Sequence, residues 1–211
     1  QAQLLYRGVF RKEEYDQALF SLIEMVIGSE NRMRVGVLGV QALLRVLCEG
    51  GKADLAYEIA MSPDRPSFGN QIEHGATSLW EFIHVHEPGS DKVAVGRLKS
   101  MNHHFWGDIA AWYMTYLAGI RINEKFEDSH RVDIAPYFVS QLDYAYADHT
   151  MPQGEVVSSW QRTGKNRIEL FVRIPMGTHG ELRLSDGWQS ESGTQISEGG
   201  YRFILRRKEN D

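Results

Sequence analysis

Glu81 stands between Trp80 and Phe82, an uncommon place for a carboxylate. Aromatic surroundings favour the neutral acid unless hydrogen-bond donors or a cation hold the charge. About twenty residues on, Ser100-Met101-Asn102-His103-His104 places an imidazole where an apolar helical pattern begins, with Asn102 suited to the N-cap. A histidine in a first helical turn is disfavoured as a cation by the exposed N–H dipoles. A neutral imidazole both donates to and accepts from hydroxyl groups. Carboxylate, imidazole and rings together suit a sugar-hydrolysing site. Without chemistry, the same residues read as an ion-paired glutamate and a capping-turn histidine. Trp80, Trp106 and Trp112 could stack on sugar, although aromatic stripes in helices usually serve the core. His84-Val85-His86 with Glu87 points two rings to one side of a strand, yet no third ligand stands at a motif spacing, so no metal is assigned.

The elements that must position these residues fall into two classes. Tyr15, Leu19, Leu22 and Val26 repeat with helical spacing, with Phe20, Ile23 and Ile27 widening the stripe, and predict a helix over Lys12–Ile27 that Gly28 stops. Val37, Val40, Leu44 and Leu47 predict a second helix, closed by Gly50-Gly51, and Leu55 and Ile59 a third over Ala53–Met61. Ser62-Pro63-Asp64-Arg65-Pro66 then breaks the pattern. Leu79–His86 fits a strand or a short helix equally well, and Glu87–Arg97 reads as a surface excursion. Phe105 to Leu117 is apolar nearly all round, as for a helix covered on both sides. Asn123–Asp133 is charged and without pattern, and the domain boundary is placed there, dividing 1–127 from 128–211. Beyond it the period becomes two. Leu142, Tyr144 and Tyr146 alternate; Val156, Ser158 and Trp160 share a face; Ile168, Leu170, Val172 and Ile174 alternate most cleanly. Leu182 and Leu184, then Tyr201, Phe203 and Leu205, complete an expected small antiparallel β-sandwich, with Met151-Pro152-Gln153-Gly154 and Thr163-Gly164-Lys165-Asn166 as turns.

With 211 residues, 42% hydrophobic and 24% charged, the chain can build a real core, and neither disorder nor membrane spans are expected. A net charge of −5 and the lack of a Lys/Arg block argue against a nucleic-acid surface. The lone Cys48 excludes an intrachain disulfide and is expected to be a buried thiol.

Several stretches carry a family resemblance: Arg65-Pro66-Ser67-Phe68-Gly69, Gly75-Ala76-Thr77-Ser78-Leu79-Trp80-Glu81, Ser100-Met101-Asn102-His103, and Trp106-Gly107 through Tyr116-Leu117-Ala118-Gly119-Ile120. In this order they resemble the C-terminal part of the glycoside hydrolase family 78 α-L-rhamnosidases. Thr150-Met151-Pro152-Gln153-Gly154-Glu155-Val156 and Trp160 resemble the small β-domain that follows the barrel there. The resemblance implies an α+β multidomain protein: the C-terminal part of an (α/α)6 barrel followed by a small antiparallel β-sandwich. It implies inverting hydrolysis of rhamnosides without a cofactor, with Glu81 as general base and His103 touching the sugar. It also implies a rhamnose-containing carbohydrate as partner, beside the upstream part of the parent enzyme. The family's acidic general-acid segment has no counterpart in these residues, so the chain is expected to be a piece of an enzyme and inactive alone. Phe82-Ile83 where Arg-Trp is common, Ser78 for Thr and Phe68 for Trp or Tyr border the site and bear on fine specificity.

Two further expectations concern geometry. Glu81 and His103 should face one concave surface. The Phe105–Leu117 helix should present an open apolar flank lined by Trp106, Trp112 and Tyr116. Rival functions are a non-catalytic carbohydrate-binding or scaffold protein on the same fold, and a metal-dependent hydrolase built on His84 and His86.

Overall fold

The computed structural model describes residues 1–64, 66–83, 100–122, 128–185 and 187–208. They divide into two compact units, Gln1–Ile109 and Ala110–Asp211. The first is helical: α1 (Ala2–Tyr6), α2 (Lys12–Gly28), α3 (Val37–Glu49), α4 (Ala53–Met61) and α5 (Phe68–Glu73). The periodic spacings of α2, α3 and α4 thus mark real helices with nearly the expected bounds. The short α1 and α5 escaped that reading because a helix of one or two turns has too few residues to show a period. Helix α3 packs between α1 and α4. It is buried on almost every side from Ala42 to Cys48, far beyond the single stripe that its sequence suggests, and Cys48 is a buried free thiol. On α2, Ile23 lies in the core as expected, whereas Phe20 and Ile27 are exposed.

One charge is carried into this core. The Arg45 guanidinium, its side chain only 10% exposed, donates to both Asp108 oxygens at 2.6 and 3.0 Å, and Gln41 Nε2 donates to the same carboxylate at 3.2 Å. Replacing one partner leaves a desolvated charge without its counter-charge, which costs more than the pair itself contributes. Asp108→Asn is therefore expected to lower unfolding stability by about 1–2 kcal/mol. The figure sits below that for a fully buried pair because Asp108 is still 30% exposed. Urea denaturation followed by helical circular dichroism measures it, and an unchanged midpoint would show that the pair is energetically silent.

From His104 the backbone winds through three hydrogen-bond registers: a 3₁₀ turn (His104–Gly107), α6 (Asp108–Trp112) and a π turn (Tyr113–Leu117). A single regular helix was expected here. Composition fixes which side chains are apolar, but not whether an N–H bonds three, four or five residues back. The π register shows in Ala118 N–H donating to Tyr113 O at 2.9 Å. Gly119 ends the run at φ +86°, and a Cβ there would lie 2.3 Å from the Pro136 nitrogen. Only glycine allows both that conformation and that approach. The expected open flank is not lined as proposed: Trp106, Trp112 and Tyr116 are 5%, 0% and 4% exposed. The exposed apolar side chains of the helical unit are instead Phe20, Met25, Ile27, Leu38, Ile72 and Phe105, among others.

The second unit is built on antiparallel pairing. Strands β1 (Ile120–Ile122) and β2 (Val132–Ile134) form a two-stranded ribbon. Strands β3 (Tyr144–Met151), β4 (Gly154–Gly164), β5 (Arg167–Glu181), β6 (Trp188–Ser190) and β7 (Gln195–Arg207) form a sheet in the order β3-β4-β5-β7-β6. Val132 and Ile134 are fully buried, so the stretch that looked patternless contains a core strand too short to show alternation. Its Asp133 is 6% exposed and accepts from Arg131 Nε and Glu181 N–H, each at 3.0 Å. Residues 123–127, next to the expected boundary, lie outside the described residues.

The inner face of the sheet carries Val156, Ser158 and Trp160 of β4, Ile168, Leu170, Val172 and Ile174 of β5, and Phe203 and Leu205 of β7. The phase of β3 is opposite to the one its tyrosines suggest. Ala145 and Ala147 turn inward, while Tyr144 and Tyr146 are 69% and 59% exposed. The register gives the reason: Ala145 sits opposite Trp160, whose bulk leaves room only for a small neighbour. Leu184 lies outside any strand, and β6 replaces the short strand expected near it.

Candidate functional site

Construction of the site starts at α5. Ser67 caps it: its hydroxyl accepts from Asn70 N–H at 2.9 Å and donates to Ser62 O, while Asn70 Nδ2 reaches Pro63 O at 2.6 Å. These bonds fix a short helix after a proline-broken turn. Gln71, on this helix and 2% exposed, turns its amide toward the chain around Glu81.

Leu79–Ile83, the described part of the Leu79–His86 stretch, forms neither helix nor strand, and residues 84–86 lie outside the described residues. Its backbone polar groups are met one by one instead. Trp80 N–H donates to Gln71 Oε1 at 3.3 Å, and Gln71 Nε2 donates to Trp80 O at 3.0 Å and Phe82 O at 3.1 Å. Glu81 N–H donates to Ser100 O at 2.8 Å, and the Trp106 indole donates to Glu81 O at 3.1 Å.

The second half of the site lies alongside. His103 N–H donates to Leu79 O at 2.7 Å, and the Ser78 hydroxyl donates to Met101 O. Residues 78–81 and 100–103 therefore run side by side in opposite directions, and this brings the segments of Glu81 and His103 together within the helical unit. His103, rather than Asn102, is the N-cap residue of the 3₁₀ turn, with φ −113° and ψ 90°. Its ring meets the Phe105 ring edge-on with centroids 5.0 Å apart, and His104 tilts against the same ring at 4.6 Å. Both Glu81 and His103 are partly exposed.

The tryptophans settle on the core side of their two readings. Trp80, Trp106 and Trp112 are all 5% exposed or less, and Trp106 packs edge-on against Phe68 at 5.8 Å. Phe105, at 60% exposure beside His103, is the ring that faces outward, and the sequence reading placed it in a buried stripe. Gln71 was missed altogether, because a glutamine nine residues before its partner leaves no periodic signal. His84, His86 and Glu87, with the Glu87–Arg97 excursion, lie outside the described residues. Among the described residues no group of three or more His, Cys, Asp or Glu side chains is arranged to hold a metal ion. Nor is any described helix long and apolar enough to cross a membrane.

Residues 1–117 match the model of the bacterial alpha-L-rhamnosidase 6 hairpin glycosidase domain, and residues 129–198 that of the bacterial alpha-L-rhamnosidase C-terminal domain. An alpha-L-rhamnosidase of Formosa agariphila is 29% identical over 174 residues, covering 82% of this chain and 18% of that protein. One from Alteromonas sp. (strain LOR) is 27% identical over 171 residues, covering 81% of this chain and 18% of that protein. The chain thus spans less than a fifth of the length of these relatives. The alpha-L-rhamnosidase structure from Dictyoglumus thermophilum superposes with a TM-score of 0.80 at 23% identity, over 97% of this chain and 25% of that one. That of Streptomyces avermitilis, complexed with L-rhamnose, gives 0.78 at 23% identity, over 98% of this chain and 20% of that one. At such identity the structures speak for the fold; the two domain matches speak for descent, and by them the chain belongs to the bacterial α-L-rhamnosidase family.

Proposed function

We propose that the longer protein carrying this chain hydrolyses terminal α-L-rhamnosides with inversion, and that Glu81 is its general base. The water oxygen attacks the anomeric carbon from the face opposite the leaving group as the glycosidic C–O bond breaks. Glu81 takes the water proton, and a general acid from outside these 211 residues protonates the leaving oxygen. His103 binds the sugar through its ring nitrogens. Residues 1–127 are the end of an (α/α)6 barrel, 128–211 form the C-terminal β-sandwich, and the two side chains face one concave surface. No cofactor is needed.

One observation supports the reading in a chain of this family: the backbone hydrogen bonds from His103 to Leu79 and from Glu81 to Ser100, which bring the segments of residues 81 and 103 alongside each other. Proton NMR of an aryl α-L-rhamnoside digested by the full-length protein tests it. β-Rhamnose is expected as the first product, before mutarotation. Release of α-rhamnose would exclude inversion, and an absence of hydrolysis would favour a non-catalytic carbohydrate-binding protein. The 211 residues alone are expected to leave the substrate intact.

A further inference from the structure

We infer that Gln71 is a positioning residue for the catalytic base, its amide clamping the backbone on both sides of Glu81. The inference rests on the reading of Glu81 given above. It starts from an accounting of hydrogen bonds. A strand or helix would hold Glu81 through a ladder whose bonds support one another. Leu79–Ile83 has no such ladder, so the placement of the carboxylate depends on individual partners. Gln71 supplies three of the six among the described residues, the others coming from Ser100 O, His103 N–H and the Trp106 indole. Each of its two amide N–H groups meets a carbonyl, Trp80 O at 3.0 Å and Phe82 O at 3.1 Å, and its oxygen takes Trp80 N–H at 3.3 Å. The side chain therefore acts like a neighbouring strand, pairing with the residues before and after the base.

Burial sharpens the role. Gln71 and Trp80 are 2% and 5% exposed, so water cannot readily replace a lost partner. A carbonyl left unmet there will turn toward solvent, and the peptide planes flanking Glu81 turn with it. The amide is in turn fixed by α5, itself held by the Ser67 cap and by Asn70 on Pro63 O. The Trp106 indole closes the remaining side through Glu81 O at 3.1 Å, while packing on Phe68. Gln71 never reaches the reacting atoms. Its effect passes through the position of the base, and a displacement of about 1 Å at a reacting group can cost 10²-fold in rate.

The test compares Gln71→Met with Glu81→Gln in the full-length enzyme. Methionine keeps the length and bulk of the side chain and removes all three hydrogen bonds. Gln71→Met is expected to lower kcat by about 10- to 100-fold with KM near the wild-type value. It should also displace the acid limb of the pH profile of kcat/KM, which reports the essential base of the free enzyme and would stay put if Gln71 served structure alone. Wild-type kcat and an unmoved acid limb would overturn the clamp while leaving Glu81 as the base. So would a lower melting temperature with unchanged kcat per folded molecule, since that is a purely structural role. If Gln71→Met does not fold, Gln71→Asn carries the test: it keeps an amide on α5 but draws it back by one methylene from Trp80 O and Phe82 O. A lower kcat with a displaced acid limb is again expected, and wild-type values overturn the proposal. Full turnover in Glu81→Gln would instead remove the reading on which the clamp depends.

Discussion

In the full-length protein, the proposed role of Glu81 as general base predicts that Glu81→Gln lowers kcat by about 10²–10⁴-fold, the usual contribution of such a group. The substitution keeps the shape of the side chain and removes its capacity to take a proton. The backbone of residue 81 is held by Ser100 O and the Trp106 indole, neither of which touches the carboxylate. The site should therefore keep its form, and L-rhamnose should bind with nearly unchanged affinity. Aryl rhamnosides with good leaving groups make the sharpest substrates, because they need little help from the general acid and leave the water step exposed. Loss of kcat with such substrates, together with retained rhamnose binding by calorimetry, would assign the defect to the base. The acid limb of the pH profile should vanish with the carboxylate. A variant with wild-type turnover and an unmoved profile would remove Glu81 from the mechanism.

How much of this was legible in the sequence depends on how regular each stretch is. Helices α2, α3 and α4 were readable because apolar residues repeat over two or more turns and glycine or proline marks their ends. What periodicity could not say is which stripe a neighbour covers. Phe20 and Ile27 share the spacing of the buried residues of α2, yet both are exposed. The same limit reversed the expectation for Trp106, Trp112 and Tyr116, which are buried although few helices seemed available to cover them. In the sheet, β4 and β5 showed both their period and their face. β3 showed only its period, because the inward choice of Ala145 over Tyr144 is set by Trp160 on the adjacent strand.

The site was the least legible part from pattern alone. Glu81 and His103 were singled out for chemistry by residue type, and their roles by family resemblance. Neither spacing nor hydropathy predicts that residues 78–81 and 100–103 pair, since both segments are irregular and their contacts are mostly single backbone bonds. Gln71 belongs to the same class of hidden information. Its partners are main-chain atoms, which carry no residue identity for a sequence to display.

The largest stability effect is expected at Trp160, where two structural requirements meet in one side chain. The ring is 1% exposed and lies opposite Ala145 on β3 and Leu170 on β5, with Phe138 edge-on at 5.3 Å. Its indole N–H also donates to Leu117 O at 2.8 Å, beside the Ser158 hydroxyl, which donates to Ala118 O at 2.6 Å. Those carbonyls end the π turn just before Gly119, where the helix offers no N–H of its own to meet them. Trp160→Ala removes the ring and this partner together, and is expected to cost about 3–5 kcal/mol, the range for large aromatic truncations in a core. Trp160→Phe separates the contributions: much of the ring remains, and the added cost of an unmet carbonyl at Leu117 is about 1–3 kcal/mol. Hydrogen exchange of the β4 and β5 amides gives a local readout. Protection should fall steeply in Trp160→Ala and less in Trp160→Phe, and further than in Trp160→Phe if Ser158 is also replaced by an apolar residue, since Ala118 O then loses its donor as well. Equal protection in Trp160→Phe and wild type would show that Leu117 O is satisfied without the indole. Wild-type protection in Trp160→Ala would mean that the sheet does not depend on its largest buried ring.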